Sequence, residues 1–304
     1  MQPACNRSSS TAATLVRRVY RLEEIATCFM CVFLNTMILL FADFDRAAPL
    51  FILNLALVLI IFAVVWVERI WNRPAIVFLR DWYSLPLLIT IYLELGRLVP
   101  LVNPHDADTL LIGLDRVLFF GHNPTILIES ITLPPITEFL QIVYASFYLL
   151  PFSLCVIAYR KGRMDVFHTI ASTIIIGFYI SYIGYFLTPA IGPRYTLAHL
   201  HTIELTGLWS FDCIRSMLDS TSGVMRDCCP SGHTMLSTVT VLLAWRRERR
   251  CMPFATVWAA FIIFSAVYLR YHYITDILAG FVCALAFSLV FPLIEKYHPS
   301  RSAS

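Results

Sequence analysis

Long apolar runs separated by short polar segments dominate the chain. They fall near 24–43, 49–67, 82–102, 137–158, 166–188, 233–245, 254–270 and 273–294. A spanning helix needs about 20 mostly apolar residues at 1.5 Å rise each, and most of these runs reach that length. The sixth is shorter and begins polar. None shows the apolar/polar alternation of a strand, and open strand edges are not tolerated in lipid. The pattern predicts an all-α integral membrane protein with about eight transmembrane helices. Two longer stretches, 103–136 and 189–232, interrupt the runs, and loops of that length are usually functional or disordered. The first contains a helix-like stretch, Leu110–Phe120, with Asp115 and Arg116 inside it. It is expected to lie along the membrane interface or to fold over the bundle.

Composition sharpens this picture. Of 304 residues, 58% are hydrophobic and 14% charged, and mean hydropathy is +0.71. Soluble domains carry about 25% charged residues, so a soluble enzyme, a disordered regulator and a fibrous protein are all excluded. A net charge of +3 without a basic run interleaved with aromatics gives no groove for nucleic acid. No feature of the sequence sets an oligomeric state.

Lysine and arginine fix an expected orientation. With the N-terminus inside, sixteen of the twenty-three basic residues fall on the inner side, most clearly in the short turns Tyr159–Met164 and Arg246–Cys251. Both termini are therefore expected in the cytoplasm, and both long loops on the periplasmic, lumenal or extracellular side. The polar, then basic, first 22 residues precede a run long enough to span and carry no small-residue cleavage site, so they read as a cytoplasmic tail before an anchor. The expected layout is a tail at 1–22, two helices within 23–72, six further helices within 73–295 and a cytoplasmic tail at 296–304.

Nine cysteines are scattered along the chain. Cys28, Cys31, Cys155 and Cys283 sit in spans, where cysteine acts as a small hydrophobe, and Cys5 and Cys251 face the reducing side. Cys213, Cys228 and Cys229 share the second long loop. A disulfide from Cys213 to either neighbour and three free thiols are both open readings. No Cys/His spacing of a zinc site occurs.

Three clusters carry candidate chemistry, and the predicted topology puts all of them on the outer face. They are Pro189–Tyr195, Arg226–Thr234, and Ser265–Asp276 followed by Gly280. If a helix begins near His272, then His272 and Asp276 stand at i and i+4 on one face. The carboxylate then fixes one ring nitrogen and leaves the other lone pair free, as a nucleophile requires. An isolated His-x-x-x-Asp reads first as a satisfied, interfacial polar pair. An ionisable Asp276 inside an apolar helix is expensive, however, and points to function. Ser231 caps the next helix, Gly232 admits a ligand to the backbone, and the free N–H groups there favour an anion. His233 follows, placed to protonate a departing oxygen. Arg194 supplies a guanidinium able to clamp phosphate oxygens, and Arg270 is a weaker candidate of the same kind. A headgroup-snorkelling role is the alternative for each arginine.

Together these clusters resemble the type 2 phosphatidic-acid phosphatase superfamily of lipid-phosphate phosphatases and phosphotransferases, which shares a core with the vanadium haloperoxidases. Pro230–Thr234 resembles its second motif in full, and Tyr268–Asp276 with Gly280 most of its third. The resemblance spans about residues 80–295 and implies a six-helix core, with His272 as nucleophile and Asp276 as its orienting partner. Two cations of the usual pattern are missing. Ala266 stands six residues before His272 in place of an arginine, and Leu187 stands seven before Arg194 in place of a lysine. These departures, the Gly-Pro-Arg-Tyr run at 192–195, the Asp115-Arg116 loop and the Pro134–Tyr144 stretch with Glu138 and Gln141 look more like the inositol phosphorylceramide synthase branch.

The resemblance implies catalysis on a membrane lipid phosphate or phosphodiester through a phosphohistidine. Arg194, Ser231, Gly232 and Arg270 would hold the phosphoryl oxygens. His233 would protonate the leaving alkoxide, then activate water or a polyol or lipid-alcohol acceptor. No metal or other cofactor is expected, since no carboxylate cluster is available to hold one. A phosphotransferase is the leading reading. A hydrolase of phosphatidate or polyprenyl diphosphate shares every residue, and a catalytically silent lipid-binding or transport protein would use the same anion pocket.

Overall fold

The computed structural model describes residues 19–221 and 224–298. Residues 1–18, which include Cys5 and most of the expected N-terminal tail, and residues 299–304 of the C-terminal one lie outside the described residues. Among those described, every regular element is helical.

Each predicted apolar run becomes a helix or a bent helix pair. The first two are α1 (Leu22–Phe41) and α2 (Phe44–Ile70), and α3 (Pro74–Trp82) leads into α4 (Ser84–Val102). The fourth run is α6 (Pro134–Ala145) and α7 (Leu149–Arg160), which meet at 49°, after a loop helix α5 (Asp108–Leu118). The fifth is α8 (Met164–Leu187). Past the loop helix α9 (Phe211–Thr221) come α10 (Gly232–Arg247), α11 (Met252–Tyr268), and the pair α12 (Ile274–Ser288) and α13 (Phe291–Tyr297), bent by 47°. Among the described residues, four helices are long and apolar enough to cross a membrane, or six when each bent pair counts as one span. With 16 and 17 residues, α10 and α11 correspond to the remaining two runs but are shorter than a span.

Helix α8 forms the centre. Its apolar residues run all round the axis, the pattern of a fully enclosed helix, and 67% of its spanning window is buried against about a third for α1 and α2. Ile170, Ile174, Phe178 and Tyr182 pack in one core with Leu236, Val239 and Leu243 of α10 and Phe287 of α12. The outer helices α1 and α2 are tied to this centre by polar contacts at two depths. Near the start of α1, Arg80 donates to Glu24 at 2.7 Å and pairs with Glu68, Arg21 reaches Asp81 at 2.7 Å, and Ser172 of α8 donates to Glu23 at 2.6 Å. Midway along the helices, Asn54 of α2 donates to Glu94 of α4 at 2.8 Å and to Asn35 of α1 at 3.0 Å.

Carboxylates, not strands, hold the long loops. Helix α5 folds over the bundle: Asp115 accepts the N–H groups of Ile274 and Thr275 at the start of α12, at 3.1 and 2.8 Å. Asp108 accepts those of Ile191 and Gly192, both at 2.9 Å, and the Tyr273 hydroxyl at 2.7 Å. Glu138 of α6 collects the N–H groups of Leu208, Trp209, Ser210 and Phe211 and so anchors the start of α9.

At the junction of α10 and α12, the Ser231 N–H donates to the Asp276 carbonyl at 3.1 Å. A Cβ on Gly280 would lie 2.6 Å from the Ser231 carbonyl oxygen and 3.0 Å from Thr234 Cβ, so only glycine permits this approach. Replacing Gly280 with Ala should cost about 1–3 kcal/mol by overpacking, read as a lower melting temperature in detergent. An unchanged transition would show that the two helices can part at no cost.

Candidate active site

The polar residues singled out by their spacing meet at the end of the bundle where α10 and α12 begin. Ser231 is the N-cap of α10, its hydroxyl accepting from the Thr234 N–H at 3.3 Å, which sets His233 in the first helical turn. Across the junction, Asp276 closes a capping box on Tyr273, accepting its N–H at 3.1 Å. This fixes the turn that presents His272. The His272 Nδ1 lies 3.3 Å from Asp276 Oδ2 and 3.1 Å from the Cys228 carbonyl oxygen. Two acceptors at Nδ1 assign the ring proton there and leave the lone pair on Nε2. That Nε2 lies 3.3 Å from His233 Nδ1.

Aromatic rings hold His233 in turn. Tyr144 stacks on it with 4.3 Å between centroids, and Tyr271 stacks on the other face of Tyr144 at 4.4 Å. The Arg194 guanidinium sits 5.5 Å from the Tyr271 ring and 5.3 Å from that of Tyr195, within cation–π range. Arg194 is positioned by a short helical turn whose N–H donates to the Arg270 carbonyl at 2.7 Å. The preceding Gly192 has φ +97°, and a Cβ there would strike the Tyr271 carbonyl oxygen at 2.6 Å, which accounts for glycine at this position.

Arg194, His233 and His272 line one cavity of about 460 Å³. Ile89, Leu93, Leu218, Val224 and Met225 give it an apolar wall, and Tyr92, Tyr148 and Asp227 add polar groups. The Tyr92 hydroxyl donates to Asp227 at 2.6 Å. Arg194 already holds a carboxylate: both of its Nη atoms reach Asp219 of α9 at 2.6 Å.

Other predicted site residues lie apart from this cavity. The Ser231 hydroxyl is fully buried in its capping contacts, and Gly232 backs onto the Tyr185 hydroxyl. Arg270 has φ +67° and turns away. Its Nη2 donates to Glu129 at 3.0 Å and to the Ile203 carbonyl at 2.6 Å, beside a neighbouring cavity of about 320 Å³ that Arg194 and Arg215 also line. Ala266 is fully buried, and its carbonyl accepts the N–H groups of Tyr271 and His272, while Leu187 faces outward. Cys213, Cys228 and Cys229 are all free thiols, so the three-thiol reading of the second loop describes this structure.

Asp227, Cys228 and Tyr271 lie inside the sequence clusters, but no spacing or motif position distinguishes them from their neighbours. Tyr92 and Asp219 carry no local signal at all. Among the described residues, Cys228, His272 and Asp276 place ligand-type atoms within 4.8 Å of one another. The Cys228 Sγ is 2.6 Å from Asp276 Oδ2, whereas a sulfur and an oxygen on one tetrahedral zinc ion stand about 3.5 Å apart. The contact is therefore that of a thiol donating to a carboxylate.

A family model for the PAP2 superfamily matches residues 109–290, more than half of the chain. The chain belongs to the PAP2 superfamily. No curated protein and no solved structure matches it. PAP2 membership supports a phosphatase- or phosphotransferase-type function and accords with an all-α membrane bundle. The matched residues take in all of α5 but Asp108, α6 through α12, and every residue lining the cavity from Tyr144 onward.

Any anion that reaches Arg194 in this cavity has to displace Asp219. Asp219 is 39% exposed, and partly exposed ion pairs contribute about 1 kcal/mol or less. Replacing Asp219 with Asn should lower KM by about fivefold at most, with kcat little changed, in steady-state assays on a phospholipid substrate. A raised KM would show instead that Asp219 binds the substrate.

Proposed function

We propose that this protein is a lipid phosphotransferase of the inositol phosphorylceramide synthase-like type, acting through a phosphohistidine on His272. The observation that carries the reading is the Nε2 of His272, supported from behind by Asp276 and facing His233 in a cavity that also holds Arg194. The apolar wall suits a lipid entering from the side with its phosphate at the membrane interface.

Phosphorus bonded to Nε2 would take the space between the two imidazoles, which now stand 3.3 Å apart. The rings must part for the reaction, and binding of the phosphoryl group supplies the displacement. Arg194 then exchanges Asp219 for phosphoryl oxygens, and its charge opposes the charge that develops on them. Phosphoryl transition states are loose and charge-rich, so such positioning and electrostatics account for most of the rate. His233 protonates the leaving alkoxide, a step worth about 10²–10⁴-fold. In reverse it activates an acceptor alcohol, which takes the phosphoryl group from His272.

Asp227 and the tyrosine hydroxyls offer hydrogen bonds to a polyol headgroup beside the reaction centre, which favours transfer between polyol lipids over plain hydrolysis. The hydrolase reading rests on the same histidines. In this reading His272 faces the non-cytoplasmic side and both termini are cytoplasmic, because the basic turns 159–164 and 246–251 stand at the far end of α7 and α10 from the pocket.

Replacing His272 with Ala should reduce turnover of a defined phospholipid at least about 10³-fold and abolish acid-labile labelling by a headgroup-retaining phosphate label. His233→Ala should slow both half-reactions. With a phosphodiester lipid as donor, water should release the headgroup as its phosphate monoester, and inositol, another polyol or a lipid alcohol should shift the wild-type product to the headgroup–acceptor phosphodiester. The headgroup phosphate monoester alone under all acceptors would assign the chain to the hydrolases, and full activity of His272→Ala would end the reading.

The same geometry sets a pH dependence. Burial alone would lower the His272 basicity, but the Asp276 carboxylate more than offsets it, with Asp227 and the Cys228 carbonyl acting in the same sense. His272 therefore holds its second proton to a higher pH than an ordinary imidazole, which titrates near about 6.5. Protonated His272 has no lone pair, so kcat/KM should fall as pH drops through a midpoint above that value. An acid limb at or below it would contradict the pairing.

A further inference from the structure

One residue touches both His272 and its partner Asp276, and its thiol has no part in phosphoryl transfer as proposed above. The Cys228 thiol donates to Asp276 Oδ2 at 2.6 Å, and the carbonyl of the same residue accepts from His272 Nδ1 at 3.1 Å. Cys228, His272 and Asp276 are all buried. Asp276 has few other holds. Its Oδ2 also meets the Tyr273 N–H at 3.1 Å and His272 at 3.3 Å, while its Oδ1 is buried without a hydrogen-bond partner. Every hydrogen bond that orients this carboxylate therefore converges on one oxygen, and the thiol makes the shortest of them. A buried carboxylate is costly unless its hydrogen bonds are made.

The thiol is suited to donate. Burial first, and the Asp276 charge second, push its pKa well above the usual thiol range, so it keeps its proton at every pH at which the protein would work. Its Sγ also lies 3.4 Å from the Tyr271 carbonyl, in the turn that presents His272. The backbone of Cys228 is held separately, its N–H donating to the Ala190 carbonyl at 3.2 Å.

We propose that Cys228 is a positioning residue of the phosphoryl-transfer site: its thiol fixes the Asp276 carboxylate and its carbonyl fixes the Nδ1–H of His272, so that the Nε2 lone pair points into the cavity. The proposal rests on the reading of His272 as nucleophile. Partners that orient metal-bound histidines from behind cost about 10–100-fold when lost, and a loss of that order is expected for the group that orients Asp276. Two effects follow from removing the thiol. Asp276 becomes free to turn its unsatisfied oxygen towards His272, which misaligns the ring. It also loses a hydrogen bond that draws off its negative charge, so it stabilises the protonated imidazole more strongly. Asp227 and His233 face the same imidazole and are present in every variant compared.

The test compares Cys228→Ala, which deletes the donor, with Cys228→Ser, which keeps one, on the full chain in detergent or vesicles with a defined phospholipid. Cys228→Ala should lower kcat by about 10–100-fold, leave KM within about twofold, and move the acid limb of the pH profile upward. Cys228→Ser should restore most of kcat and return the limb to its wild-type place. A purely structural role would instead lower the melting temperature in both variants without moving the limb. Wild-type kcat with an unmoved limb in Cys228→Ala overturns the proposal. Should Cys228→Ala fail to fold, Cys228→Ser decides: a kcat within about threefold of wild type supports a donor role, and a loss as large as about 100-fold overturns it. His272→Ala is assayed beside them. If it is active, the nucleophile assignment itself fails. If it is inactive while Cys228→Ala is normal, only the role of Cys228 does.

Discussion

The close approach of two helix starts is the constraint on which the rest of this structure depends. The first turns of α10 and α12 are joined by one backbone hydrogen bond, from the Ser231 N–H to the Asp276 carbonyl, and by the absence of a side chain at Gly280. Neither feature performs chemistry. Together they bring ring nitrogens of two imidazoles, from positions 39 apart in sequence, to 3.3 Å. The capping residues at this junction lie beside the two imidazoles, so helix termination and the lining of the cavity are set by the same few residues.

Around that junction the loops are organised by carboxylates that accept backbone N–H groups. Asp108 and Asp115 of α5, and Glu138 of α6, each gather donors from a segment far away in sequence. Such contacts satisfy backbone groups that a long loop would otherwise leave unpaired against an apolar interior. They also explain why a polar-dotted segment such as 103–136 covers the bundle without a strand or a disulfide. The carboxylate at Asp219 differs in kind, since it holds a side chain that the pocket would otherwise offer to a ligand.

Much of this was legible from residue order. The apolar runs located every long helix, because spans in lipid must satisfy their own backbone and so advertise their length. The His272/Asp276 spacing located one half of the site, because i,i+4 is a helix-face relation that needs no tertiary information. The break between α6 and α7 is hidden in an apolar run that looks continuous, and its one sequence mark is Pro151, which has no N–H to extend a helix from α6 through the first turn of α7. Arg270 could not be placed from sequence either. Its left-handed backbone and its contact with Glu129, 141 positions away, are decided by the loop fold. Tyr92 and Asp219 are known as pocket residues only because α4 and α9 happen to flank the junction.

The hydrogen bonds from Asn54 to Glu94 and Asn35 carry a further consequence. They bridge three helices, α1, α2 and α4, in the middle of the apolar layer, where an unpaired carboxylate is poorly tolerated. Shortened relatives of this chain that dispensed with the first two helices would inherit a stranded acid facing hydrocarbon, and would have to replace it with something neutral. The outer pair is thus bound to the core by a polar debt, and its loss in evolution or by design would have to proceed through position 94 first.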